Sequence, residues 1–169
     1  MEQRREPDSL AFGYIRDRVD DRLEIADLLH RYAYHFDRNE PELVAELFTD
    51  DAVIDYGPEV EPIGGRAAIV ARISPGLEHT FVATSHHISN VLVRFAAGDA
   101  ADAVAYVYAW HRYHDRPEDG HLWGQYHVSA RRTDTGWRMS RLVLKTVAVT
   151  NFHRERMHPI GRQDRNAEG

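Results

Sequence analysis

From Asp20 onward, apolar residues recur at a helical spacing. Ile25, Leu28, Leu29, Tyr32, Ala33 and Phe36 fall at i, i+3, i+4, i+7, i+8 and i+11, which predicts an amphipathic helix ending near Asp37. Asp20 or Asp21 is placed to cap it, with Glu24 three residues after Asp21 as in a capping box. On the helical wheel Asp37 lies beside Ala26 and Ala33, so a carboxylate stands at the edge of the apolar stripe. Pro41 suits the first turn of a second helix carrying Leu43, Val44, Leu47 and Phe48. "DDAVIDYG" reads as a short strand with Ala52, Ile54 and Tyr56 on one face and Val53 and Asp55 on the other. "GGRAAIVARI" reads as a third helix, stopped by "SPG".

The period then shortens to two. Segments 86–95, 101–114, 121–133 and 136–149 are rich in Val, Tyr, Trp and Thr, and the turn signals "AAGDA", "DRPEDG" and "TDTG" divide them. Helices followed by a long antiparallel meander predict an α+β domain. In "ADAVAYVYAWHRYH" one face carries Ala103, Ala105, Val107, Ala109 and His111, and the other Val104, Tyr106, Tyr108, Trp110 and Arg112. Small residues leading to a histidine fit a strand that lines a cavity, whereas a filled core favours Leu and Ile. The aromatic face is a candidate contact with another sheet or subunit. The expected organisation is an arm at 1–19, one domain at 20–150, and a polar tail at 151–169 that is disordered from Gly161.

Composition narrows the function classes. At 169 residues and 43% hydrophobic the chain suits one domain with a real core. A net charge of −6, with signs mixed, gives no nucleic-acid surface, and the short basic runs at Arg131–Arg132 and His153–Arg156 read as solvated surface. The absence of cysteine excludes disulfides and thiol nucleophiles. Residues 1–19 contain no apolar signal region and no segment reaches membrane-spanning length, so a cytoplasmic protein without a membrane partner is expected.

Among the 11 histidines, His86 draws attention because it opens the first long strand segment, on a face shared with Ile88, Asn90 and Leu92. Pattern alone fits a core histidine satisfied by a backbone carbonyl. The alternative is a general base: an imidazole oriented by Asp37, working near neutral pH because free histidine titrates at about 6.5. His87 points the opposite way, and His111 is a second candidate. Tyr32 on the helical stripe and Tyr56 beside Gly57 each bring a hydroxyl that needs a partner if buried. Arg131 and Arg132 alternate faces, so one reaches inward to hold an anionic group or both are solvated. His111 and His114 face opposite ways, no H-E-x-x-H is present, and no metal site is expected. G-x-S-x-G, P-loop and G-x-G-x-x-G sequences are likewise absent.

Taken together, "DRLEIADLLHRYAYHFDRNE", "LFTDDAVIDYG", "TSHHISN" and "RRTDTGWRMSRL" resemble the SnoaL-like branch of the nuclear-transport-factor-2-like superfamily over about residues 15–150. The resemblance implies a cone-shaped barrel, with three N-terminal helices packed on a strongly curved, mixed, mostly antiparallel sheet around a deep pocket. Three cofactor-independent lyases of that family carry the closest motifs. Scytalone dehydratase is similar at Asp37, Tyr56, His86 and His111, but has a tyrosine where this chain has Phe36. Bile-acid 7α-dehydratase is similar at Tyr32 and His86. Hexachlorocyclohexane dehydrochlorinase shares the Asp37–His86 pairing and an arginine near Arg131 or Arg132.

The resemblance further implies that His86, steered by Asp37, abstracts a proton. Tyr56 or Tyr32 would polarise a carbonyl or assist departure of hydroxide, and His111 would orient the substrate or relay the proton. Phe36, Asn90, Tyr126 and Arg131 are the expected substrate contacts. The expected activity is a cofactor-independent β-elimination, chiefly dehydration, on a small hydrophobic cyclic or polyketide-like molecule. Alternatives are an isomerase or polyketide cyclase using the same pair, or a non-catalytic ligand-binding or assembly subunit. A homo-dimer or homo-trimer is expected, with Tyr106, Tyr108 and Trp110 as the contact face.

Overall fold

The computed structural model describes residues 18–96 and 98–161; most of the expected arm, and the tail after Gly161, lie outside the described residues. Helix α1 (Val19–Asp37) buries Ile25, Leu28, Leu29, Tyr32 and Ala33, the stripe anticipated from spacing. Its start is built differently from the expected capping box. Arg18 at the N-cap is left-handed, with φ 55°, and provides no side-chain cap. Asp21 and Glu24 turn to the sheet instead. The Trp137 indole N–H donates to Asp21 at 3.1 Å and the Trp137 backbone N–H donates to Glu24 at 2.7 Å. Gly136, at φ 101°, makes this possible, because a Cβ there would collide with the Glu24 carboxylate.

Helix α2 (Pro41–Glu46) opens on its proline, as expected, but leaves Leu43 38% exposed. Strand β1 (Phe48–Asp55) buries Ala52 and Ile54 on one face. After the two-residue strand β2 (Ile63–Gly64), helix α3 (Arg66–Pro75) runs through the predicted stop and continues as a π-helical turn, Gly76–Thr80. That turn delivers Phe81 straight into pairing with Tyr113, so strand β3 (Phe81–Phe95) begins earlier than residue 86.

Strands β4 (Ala100–Tyr113), β5 (Gly120–Thr133) and β6 (Gly136–Thr150) complete the meander, and the short β7 (His158–Pro159) pairs with β6. The order is β2-β1-β6-β5-β4-β3, antiparallel except that β1 and β7 run parallel to β6. This curved sheet is unclosed, with β2 and β3 as its edges, so the three helices pack on an open α+β sheet and not on a closed barrel. Alternation along β4 follows the sequence pattern: Ala101, Ala103, Ala105, Val107, Ala109 and His111 are buried, while Tyr106 on the other face is exposed.

In β3 the alternation breaks. Asn90 adopts φ 50° at a register shift between Ser89 and Leu92, which turns Leu92 outward and Val93 inward. The folded unit also extends past residue 150, because Phe152 and Met157 pack on the core and β7 joins the sheet. No helix among the described residues is long and apolar enough to cross a membrane.

Candidate active site

Asp37 is the last residue of α1, where a carboxylate faces the negative end of the helix dipole. Donors from β3 offset that conflict. The His86 backbone N–H donates to Oδ2 at 2.8 Å, and the Thr84 hydroxyl and His86 Nδ1 reach Oδ1 at 2.8 and 2.6 Å. Burial pushes the carboxyl up, but these bonds outweigh it and hold Asp37 below the usual carboxylate range. An ionised Asp37 only accepts, so the proton of neutral His86 sits on Nδ1 and the lone pair on Nε2. The His86 side chain is 5% exposed and lines a partly open cavity of about 230 Å³.

His111 lies on the same wall. It pairs across the strands with Thr84, while His86 faces Ala109, whose small side chain leaves room beside the imidazole. The two rings meet edge to face at 5.3 Å. Burial above all, then the neighbouring His86 and His153, pushes His111 down to about 3, so it is neutral near pH 7. Its buried Nδ1 has no partner among the described residues.

The same shift predicts a stability slope. Unfolded His111 takes up a proton below about pH 6.5 and the folded residue does not until about pH 3, so stability falls as pH drops through that window. Between pH 6.5 and 5 this amounts to about 2 kcal/mol, readable in urea titrations. His111→Phe, which keeps a planar ring beside Phe81 and Phe152, should remove this share of the slope and leave that of His153, which burial likewise pushes down to about 3. An unchanged slope would refute the assignment.

Three phenols line the same cavity. Tyr32 from α1 and Tyr56 after β1 share a hydrogen bond of 2.5 Å, and the Tyr126 ring packs on Tyr32 edge to face at 5.5 Å. Burial raises all three, Tyr56 to about 12, so they remain protonated donors. Phe36 lines the cavity and packs on His86 at 5.0 Å. Asp37, His86, His111, Tyr32, Tyr56, Tyr126 and Phe36 are therefore brought together at one end of the sheet.

Asn90 and Arg131 are not among the cavity-lining residues, and their expected placement is corrected. Asn90 is exposed at the β3 bulge. Arg131 turns outward to Thr49 and Asp51, and Arg132 to Asp21 and Asp99. Two arginines stand in the cavity wall: Arg72 from α3, and Arg154, joined by Phe152 and His153 from its own segment. Sequence reasoning missed the last three by treating their stretch as a solvated tail. The signal was Phe152 and Met157, apolar residues bracketing the "HRER" run. No cluster of three or more His, Asp or Glu among the described residues is arranged to hold a metal ion.

The sequence profile of a SnoaL-like domain matches residues 17–143. The chain belongs to the SnoaL-like family. A solved structure of a candidate scytalone dehydratase from Novosphingobium aromaticivorans is 34% identical, with a TM-score of 0.80, covering 86% of this chain and 97% of that one. A candidate aromatic ring hydroxylase from the same species is 29% identical, with a TM-score of 0.73, covering 78% and 93%. A type 2 hexachlorocyclohexane dehydrochlorinase shares the SnoaL-like fold at 19% identity and a TM-score of 0.74, covering 86% and 98%. No curated protein matches the sequence. Family and neighbours together point to a lyase- or isomerase-type enzyme.

Proposed function

We propose that this SnoaL-like protein is a cofactor-independent lyase that eliminates water from a small cyclic β-hydroxy carbonyl compound. The observation that carries the reading is the partly buried Asp37–His86 hydrogen bond opening onto a ligand-sized cavity. His86 Nε2 removes the proton from the carbon next to the carbonyl. The resulting enolate oxygen accepts from the Tyr56–Tyr32 pair, whose mutual hydrogen bond uses one hydroxyl proton and leaves the other free to donate. Collapse of the enolate breaks the β C–O bond, and the imidazolium returns its proton to the departing hydroxide. Water and an α,β-unsaturated carbonyl result. Neutral His111 offers a hydrogen bond that orients the substrate.

Size restricts the substrate. A cavity of about 150 Å³ accommodates benzene, so 230 Å³ fits one substituted ring rather than a fused polycycle. The 34% identical candidate scytalone dehydratase supports dehydration over other eliminations. An isomerase would use the same base on a substrate without a leaving group. Incubating one-ring β-hydroxy ketones with the protein and following mass separates the two, with His86→Ala as the blank. Loss of water is the expected result; a mass-neutral product overturns dehydration, and turnover by the blank overturns the base. The exposed aromatic face bearing Tyr106 and Trp123 supports a homo-oligomer, dimer or trimer. A monomeric mass in light scattering would exclude it.

A further inference from the structure

The charges around the cavity are one-sided. Arg154 and Arg72 both line it, and none of its described lining residues is acidic. Arg154 donates from Nη1 to the Tyr56 carbonyl at 3.1 Å and sits over the Tyr56 ring at 5.3 Å. Guanidinium has five N–H donors, so one such bond leaves most of them unused. Neither arginine has an ion-pair partner among the described residues. The acid whose charge Arg154 feels is Glu59, and that carboxylate is already engaged. It accepts the backbone N–H groups of Arg156 at 2.7 Å and Glu155 at 3.2 Å, and lies 3.6 Å from the Arg156 side chain. Asp37, behind His86 and outside the lining, already accepts three hydrogen bonds from His86 and Thr84. Burial and the like charge of Arg72 both work against the Arg154 cation.

A half-buried cation is unfavourable unless something pairs with it, and an arginine fork matches a planar carboxylate with two parallel bonds. We infer that Arg154, assisted by Arg72, forms an anion subsite and that the natural ligand is a one-ring compound bearing a carboxylate. This rests on the proposed elimination only for what happens at the other end of the ligand. The carboxylate anchors on the C-terminal segment while the reacting C–H faces His86.

Matched probes test the subsite without turnover. By calorimetry, benzoate should bind the wild-type protein about ten- to a hundredfold more tightly than neutral, isosteric benzamide, as charge-assisted bonds do. In Arg154→Gln that preference should fall below about threefold, with Arg72→Gln losing a smaller part. Equal affinity for the two probes in the wild type, or a preference undiminished in Arg154→Gln, overturns the inference. Should Arg154→Gln misfold, the wild-type Arg154 Nε–H resonance decides. A shift with benzoate and none with benzamide supports the subsite, and the absence of a benzoate shift overturns it. His86→Ala is expected to keep the full anion preference, so failure of the lyase reading and failure of the subsite are told apart.

Discussion

Replacing Asp37 with asparagine is expected to lower turnover by about 10²–10⁴-fold while the fold survives. The reason lies in the donors around the carboxylate. The His86 backbone N–H cannot change role, so the single amide oxygen of asparagine must stay where Oδ2 accepts it. The amide NH₂ then occupies the place of Oδ1, facing His86 Nδ1 and Thr84. Nδ1 has to accept, the imidazole proton moves to Nε2, and the cavity is offered a donor in place of a base. Folding is little affected, because loss of the charged bond is partly offset by removing a carboxylate from the negative helix end. The kcat of dehydration and a thermal melt, measured side by side, check both halves. Wild-type kcat in Asp37→Asn would refute the tautomer argument.

The largest effect on stability is expected far from the base. Trp137 is 0% exposed, and Trp137→Ala should cost about 3–5 kcal/mol. In a domain of this size that corresponds to a fall in Tm of about 10–15 °C. Beyond the cavity left behind, the variant loses the indole bond to Asp21 and the packing against Phe95 and the Arg132 guanidinium. Trp137 ties the start of α1 to the start of β6, and Asp37 stands at the other end of that helix. By contrast Leu43, already 38% exposed, should tolerate alanine within about 0.5 kcal/mol. Differential scanning calorimetry on the pair tests this, and equal shifts would contradict the burial argument.

Much of this architecture was legible in the residue pattern because each long element buries one face. The α1 stripe, save the half-buried Phe36 at its end, and the small-residue face of β4 are buried as expected. What escaped was decided by interactions between distant positions. Asp21 and Glu24 satisfy capping rules locally, yet Trp137 competes for both carboxylates and wins. Asn90 was assigned a face by strict alternation, which its left-handed backbone interrupts. Arg131 was expected inward, but Thr49 and Asp51 on the adjoining strand draw it out. Strands of two residues, such as β2 and β7, are too short to leave a periodic trace.

The junction of α1 with β3 supplies the reactive pair, whereas Phe152, His153 and Arg154 come from a stretch beyond the last long strand. On the proposed reading, the proton-transfer pair and one wall of the ligand chamber thus come from separate stretches of the sequence. On that same reading, mutation confined to residues 152–154 would change which molecules enter while leaving the Asp37–His86 bond in place. For the same reason, an expression fusion attached close behind β6 would strip one wall from the chamber.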